Sequence, residues 1–283
     1  FILHMFCVDP SVLLQQRLDR AIAAVFFSAT LLPMGYYKSL LCTTKKPYAL
    51  YADSPFDSRK RKILIGKDVT SLYTQRSFTM YLRYAQYIHE ITSVKKGNYM
   101  IFFPSYEFMK EVYAQCMLFP TKDTEYLLQM SQMTEDERKN FLQAFEKKRK
   151  KSLLAFCVMG GIFSEGIDLT NEKLIGAIIA GVGLPKADQE QQMIQDYFDK
   201  KHKDGFSYAY LFPGMNKVLQ SAGRVIRTVE DKGVIILLDE RFMQMKYRSI
   251  FPREWSDAGY GSKEEVIDEI SHFWDGISDS KKV

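Results

Sequence analysis

Gln220, Arg224 and Arg227, in the stretch Gln220-Ser221-Ala222-Gly223-Arg224-Val225-Ile226-Arg227, are the residues of this chain whose types and spacing most clearly suggest chemistry. Residues 215–227 read as a helix, and steps of about 100° per residue would set these three side chains within about 60° of one another. Val218, Ala222, Val225 and Ile226 would then form an apolar stripe on the opposite side, against a sheet. Two permanently charged planar forks in one line suit a polyphosphate or a cluster of carboxylates. A solvated basic face is the plain alternative. The chemical reading expects both guanidiniums at the rim where the loops following the strands gather, not buried in internal ion pairs.

Two other stretches offer matching parts. An apolar run over 153–158 enters Met159-Gly160-Gly161-Ile162-Phe163-Ser164-Glu165-Gly166-Ile167-Asp168, a loop with three glycines and two carboxylates. Such a loop brings backbone N–H groups to a sheet edge, although a tight turn would need the same glycines. The run 99–103 ends in Pro104-Ser105-Tyr106, where Ser105 can cap a helix whose N-terminus would hold an anion. Near the start, Val25-Phe26-Phe27 leads into Ser28-Ala29-Thr30-Leu31, a strand-like run ending in two hydroxyl residues.

The elements that must position these residues alternate. Apolar runs at 24–27, 62–65, 99–103, 153–158, 174–180 and 233–238 read as strands, several apolar at every position, as strands buried on both faces must be. Amphipathic segments at 11–23, 77–94, 106–117, 135–148, 188–201 and 215–227 read as helices. Thr134 with Glu137 predicts a capping box at the start of the fourth. This alternation predicts an α/β fold, a parallel sheet with helices on both faces, whose ligands meet the carboxyl ends of the strands.

Composition narrows the class without naming it. The chain has 283 residues, 46% hydrophobic and 14% aromatic, enough for a sizeable core. A net charge of +5 permits nucleic acid as a partner but does not argue for it. No apolar run approaches the ~18 residues that span a bilayer, so no membrane role is expected. Cys7, Cys42, Cys116 and Cys157 are dispersed without a CxxC pair, which predicts buried free thiols in a reducing cytoplasm and no metal or iron–sulfur site in this chain. The basic runs at 59–62, 147–151 and 200–203 are readable as phosphate contacts or as wetted surface. Tyr81, Tyr84, Tyr87, Tyr106 and Tyr113 are readable as stacking faces or as core.

Taken together, four stretches resemble the later motifs of superfamily 2 helicases, specifically the DinG/XPD branch. Ser28-Ala29-Thr30-Leu31 resembles motif III, and Asn98-Tyr99-Met100-Ile101-Phe102-Phe103-Pro104-Ser105-Tyr106 resembles motif IV. The loop from Gly160 to Leu169 is similar to motif V, and Gln220 to Arg227 fits the QxxGRxxR pattern of motif VI. The resemblance covers nearly the whole chain and implies a RecA-like second lobe of the P-loop NTPase type at 45–283. It places a motif III segment at 1–44, at the lobe junction.

The resemblance also implies roles. Arg224 and Arg227, supported by Gln220, would reach nucleotide phosphates across a cleft. Glu165, Gly166 and Asp168 would line the nucleotide side of motif V. Ser105, Tyr106 and Ser164 would contact the DNA backbone, and Ser28 and Thr30 would couple hydrolysis to DNA movement. No GxxxxGK[ST] occurs, since Gly66-Lys67 is followed by Asp68, so ATP and Mg²⁺ are expected mainly on an N-terminal lobe absent from this sequence. The chain opens on Phe1 and is expected to be a piece of a longer, monomeric protein. An iron–sulfur cluster is possible in the remainder. Val234–Leu238 followed by Asp239-Glu240 imitates a Walker B strand, but the DinG/XPD branch has a similar Asp-x-Arg-Phe ending after motif VI, matched by Asp239-Glu240-Arg241-Phe242. The implied function is ATP-driven 5′-to-3′ translocation on single-stranded DNA, with duplex unwinding in repair or replication. The fragment alone is expected to be inactive. The competing reading is a non-catalytic RecA-like interaction or nucleic-acid-binding module. A dinucleotide-binding domain is disfavoured, because no GxGxxG opens a helix.

Overall fold

The computed structural model describes residues 5–44, 47–147, 150–163, 169–201 and 203–279. Among these, seven strands form one sheet, β1 (Arg61–Gly66), β2 (Asn98–Phe103), β3 (Thr124–Leu128), β4 (Ser152–Val158), β5 (Gly176–Ile179), β6 (Gly233–Leu238) and β7 (Gly259–Gly261). Their order is β3-β4-β2-β5-β6-β1-β7, and every pairing is parallel. All residues of β2 and β6 are buried, which explains their unbroken apolar sequences.

Helices cover both faces, giving the RecA-like α/β architecture. On one face α5 (Glu135–Glu146) and α7 (Phe212–Ala222) pack with the 240–258 segment against Ile63, Ile65, Ala155, Ala177 and Leu237. On the other, α3 (Phe78–Val94), α4 (Tyr106–Leu118) and α9 (Lys263–Asp279) enclose Leu64, Tyr99, Ile101, Phe156 and Ile236. The expected capping box at α5 is present. The Glu137 N–H donates to Thr134 Oγ1 at 3.3 Å, and the Thr134 N–H donates to Glu137 Oε2 at 2.7 Å.

Several expectations need correction. The run 24–27 is not a strand. Val25 is 82% exposed and Phe27 89%, and no neighbouring strand among the described residues accepts their backbone. The first helix, α1 (Ser11–Leu18), is shorter than 11–23, and β3 and β7 were not anticipated. Of the four thiols, Cys116 and Cys157 are buried as expected, and burial pushes the Cys116 thiol up to about 12. Cys42 is only half-buried and Cys7 is exposed. Tyr84 and Tyr87 are fully buried, so they are core residues. Part of the basic surface is neutralised locally, with Lys62 Nζ 2.6 Å from Glu269 and Lys201 Nζ 2.9 Å from Asp9.

The N-terminal residues dock on the layer formed by α6 (Gln189–Lys200), a π-helical turn (Ser207–Leu211) and α7. From α2 (Met34–Leu41), the Tyr36 ring meets Tyr208 and Phe212 with centroids 5.1 and 5.0 Å apart. Ser39 Oγ lies 2.8 Å from Tyr208 Oη, and Asn216 Nδ2 donates to Tyr37 Oη at 2.6 Å.

Close packing at the start of β6 admits only glycine. A Cβ on Gly233 would lie 2.3 Å from Val225 Cγ1 and 2.6 Å from the Ile175 carbonyl oxygen. Gly233→Ala is therefore expected to cost about 1–3 kcal/mol through overpacking. Chemical denaturation reads this directly, and a stability within about 0.5 kcal/mol of the parent would show that the contact yields.

Candidate functional site

The helix carrying the glutamine and arginines ends sooner than its sequence suggests. α7 stops at Ala222, the Gly223 N–H donates to Leu219 O at 2.9 Å, and the next two N–H groups make three-residue turns to Ser221 and Ala222. Arg224 and Arg227 thus lie beyond the helix and do not share a helical face with Gln220. Arg224 is 9% exposed, Gln220 is half-buried, and Arg227 is exposed.

A buried carboxylate shapes the segment that follows. Asp231, 1% exposed, accepts the N–H of Arg227 at 2.7 Å and of Thr228 at 2.6 Å, while its own N–H donates to Thr228 O at 3.2 Å. These bonds fix the backbone from which the Arg227 side chain projects. Asp231→Ala should cost about 1–3 kcal/mol by leaving buried donors unsatisfied, whereas Asp231→Asn keeps an acceptor and should cost less. Amide exchange at Arg227 and Thr228 is the local check. Unchanged protection in the alanine variant would remove Asp231 from this role.

The two ends of α7 sit at opposite edges of the sheet. Its beginning is at the carboxyl edge, where a Cβ on Gly183 would lie 2.8 Å from Gly214 O and one on Gly160 would meet Lys217 Cε at 3.1 Å. Burial pulls the pKa of the Lys217 amine down. Its end is at the amino edge, where Val225 packs on Gly233 at the start of β6. From Gly214 to Ala222 the helix rises about 12 Å. The backbone of the arginine segment therefore stands at the amino edge, opposite the expected carboxyl rim, because a helix joining parallel strands must run back along the sheet.

The carboxyl rim holds the second group of candidates. Ser105 caps α4, accepting the Phe108 N–H at 3.2 Å. The Tyr106 hydroxyl accepts from Gln129 Nε2 at 2.8 Å and donates to Met130 O at 3.4 Å. Gln129 Oε1 in turn accepts the Val158 N–H at 2.9 Å. Beyond Val158 the glycine loop begins with Gly160 at φ 70°, and Phe163 stacks on Phe141 with centroids 4.1 Å apart. Ser164, Glu165, Gly166 and Asp168 lie outside the described residues. Ser28 and Thr30 form a local turn, with the Thr30 N–H donating to Ser28 Oγ at 3.2 Å.

Three features had no signal in the sequence. Gln129 and Asp231 are single polar residues with no diagnostic spacing. Arg76 is the third, its Nε donating to Ser71 O at 3.3 Å and its guanidinium 4.9 Å from the Phe108 ring centre. Asp239, the imitation of a Walker B acid, does not fit a magnesium ion. Its carboxylate, 0% exposed, is filled by the Ser71 N–H and hydroxyl and by Arg241. Among the described residues no cluster of three or more His, Cys, Asp or Glu could hold a metal, and no helix is long and apolar enough to cross a membrane.

The geometry can be set beside known proteins. Residues 88–258, more than half of the chain, match the family described as the helicase C-terminal domain. The chain is 28% identical over 239 residues to the ATP-dependent DNA helicase XPD of Sulfolobus acidocaldarius, covering 81% of this chain and 41% of that protein. It is 27% identical over 216 residues to the 3′-5′ exonuclease DinG of Staphylococcus saprophyticus, covering 74% of this chain and 22% of that protein. A solved XPD helicase structure aligns with a TM-score of 0.63 and 27% identity, over 83% of this chain and 42% of that one. The chain thus spans well under half the length of these relatives. The matched span and the structural likeness agree, and the chain belongs to the helicase C-terminal domain family as a C-terminal lobe of the XPD/DinG type within superfamily 2.

Proposed function

We propose that this chain is the C-terminal motor lobe of an ATP-dependent DNA helicase that moves 5′ to 3′ on single-stranded DNA and unwinds duplexes in repair or replication. The observation that carries the reading is the family match, which runs from within α3 to the end of the 240–258 segment and so includes Ser105, Tyr106, the glycine loop and the arginine segment. An exposed Arg227 on a backbone tied to Asp231 fits the anionic oxygens of a nucleotide presented by a neighbouring lobe. A nucleotide bound between the lobes would hold them closed, and its hydrolysis would release that closure. Arg224 and Gln220 would support that contact. Ser105, Tyr106 and Ser164 would hold the DNA backbone, Glu165, Gly166 and Asp168 would join the two ligands, and Ser28 and Thr30 would couple the lobes.

On this reading Mg²⁺ belongs mainly to the N-terminal lobe, consistent with the filled Asp239 carboxylate, and any iron–sulfur cluster belongs to the rest of the protein. The exposed apolar residues Val25 and Phe27 lie immediately before Ser28 and suit burial against that lobe. The working protein is proposed to be a cytoplasmic monomer. Unwinding of tailed duplexes by a protein carrying both lobes tests the proposal, with 5′-tailed substrates expected to open and 3′-tailed ones not. The isolated chain should bind single-stranded DNA weakly, with an affinity that falls as salt rises, and should not turn over ATP. Robust turnover by the isolated chain, or unwinding from 3′ tails alone, would overturn this assignment.

A further inference from the structure

Gln129 follows β3 directly and is 2% exposed, yet its side chain joins two distant parts of the chain. Oε1 accepts the N–H of Val158, the last residue of β4, at 2.9 Å. Nε2 donates to the phenol oxygen of Tyr106, the first residue of α4, at 2.8 Å. Its own N–H donates to Phe156 O at 2.9 Å, which pins the Gln129 backbone to β4. The orientation of the amide is settled by chemistry, because the Val158 N–H can only meet the oxygen, leaving NH₂ for the phenol. The glycine loop is shaped to admit this group, since a Cβ on Gly161 would lie 3.0 Å from Nε2.

We propose that Gln129 is a positioning residue that couples the Ser105–Tyr106 turn to the root of the glycine loop after β4, so that engagement of DNA at the turn is transmitted to the nucleotide side. The inference rests on the helicase reading above. A primary amide suits the place because it accepts from a backbone N–H and donates to a phenol at once. A leucine of similar volume would do neither, taking this acceptor from the Val158 N–H and leaving the Tyr106 hydroxyl with the long bond to Met130 O.

The test uses a protein carrying both lobes, with oligothymidine as the DNA probe. Three readouts are taken, namely DNA affinity, maximal DNA-stimulated ATP turnover and melting temperature. Gln129→Leu should lower maximal stimulated turnover about tenfold while DNA affinity stays within about threefold. Tyr106→Phe breaks the link but leaves the Val158 bond, and should lower turnover in the same direction. The double variant should be no slower than Gln129→Leu alone, because both changes cut one link. Gln129→Glu retains an acceptor for Val158 and a group for the Tyr106 hydroxyl, and should recover most of the turnover. Multiplying losses in the double variant would overturn the link, as would affinity, turnover and melting temperature all declining together. Should Gln129→Leu fail to fold, Tyr106→Phe and Gln129→Glu carry the test, with full turnover in the first or none in the second counting against it. Absence of DNA stimulation in the parent protein would instead remove the helicase reading itself.

Discussion

Asp239→Ala should destabilise the chain by about 3–5 kcal/mol, the expected cost of removing one partner from a buried ion pair. Asp239 directly follows β6 and is 0% exposed, and its partner Arg241 has a side chain only 11% exposed. Oδ1 accepts the Arg241 N–H at 3.0 Å and Nε at 2.9 Å. Oδ2 accepts the Ser71 N–H at 2.9 Å, the Ser71 hydroxyl at 2.8 Å and an Arg241 terminal nitrogen at 2.8 Å. Burial alone would pull the Arg241 pKa down, and the carboxylate more than reverses that. Alanine therefore leaves a guanidinium and two serine donors without their acceptor in a dry site. Urea denaturation should also show that Asp239→Ala with Arg241→Ala costs less than the two single losses combined. A loss under about 1 kcal/mol for Asp239→Ala would mean that water or a neighbour replaces the carboxylate.

The same residue illustrates what sequence reasoning reaches. An acidic residue after an apolar strand is ambiguous between a metal ligand and an ion pair, and the missing phosphate loop and the likeness of Asp239-Glu240-Arg241-Phe242 to the ending after motif VI weighed against the metal. Central strands were legible because burial on both faces forces unbroken apolar runs, as in β2, β4 and β6. Edge strands escape that rule, so β3, with Thr124 and Glu125 opening it, and the three-residue β7 carry little signal. The opposite error arose at 24–27, where an apolar run has no strand beside it. Helix α7 was read too long because Val225 and Ile226 continue its apolar period. Asp231 lies outside that period, and it takes the N–H groups of Arg227 and Thr228 away from helical partners. The turn at Ser105 was visible as a cap, whereas Gln129, which ties that turn to the glycine loop, is one amide in an unremarkable stretch.

Arg227→Ala should reduce DNA-stimulated ATP turnover of the two-lobed protein by about 10³-fold or more, the scale on which an arginine at a transferring phosphoryl group acts. Arg227 is the cleaner probe of the pair. It is exposed, and the bond from its own N–H to Asp231 survives truncation of the side chain. Arg224 is 9% exposed, and its loss would mix packing with rate. Arg227→Lys should recover little, because an ammonium keeps the charge but lacks the planar fork that meets two oxygens at once. The placement at the amino edge adds a geometric condition. On the proposed reading, the neighbouring lobe would present the nucleotide to this segment near the starts of β5 and β6, while DNA would lie along the rim beyond their ends. Crosslinks between the N-terminal lobe and this edge should therefore form with a non-hydrolysable nucleotide and weaken without it. Turnover within about tenfold of the parent after Arg227→Ala would place the phosphate contact elsewhere and favour a lobe that only scaffolds.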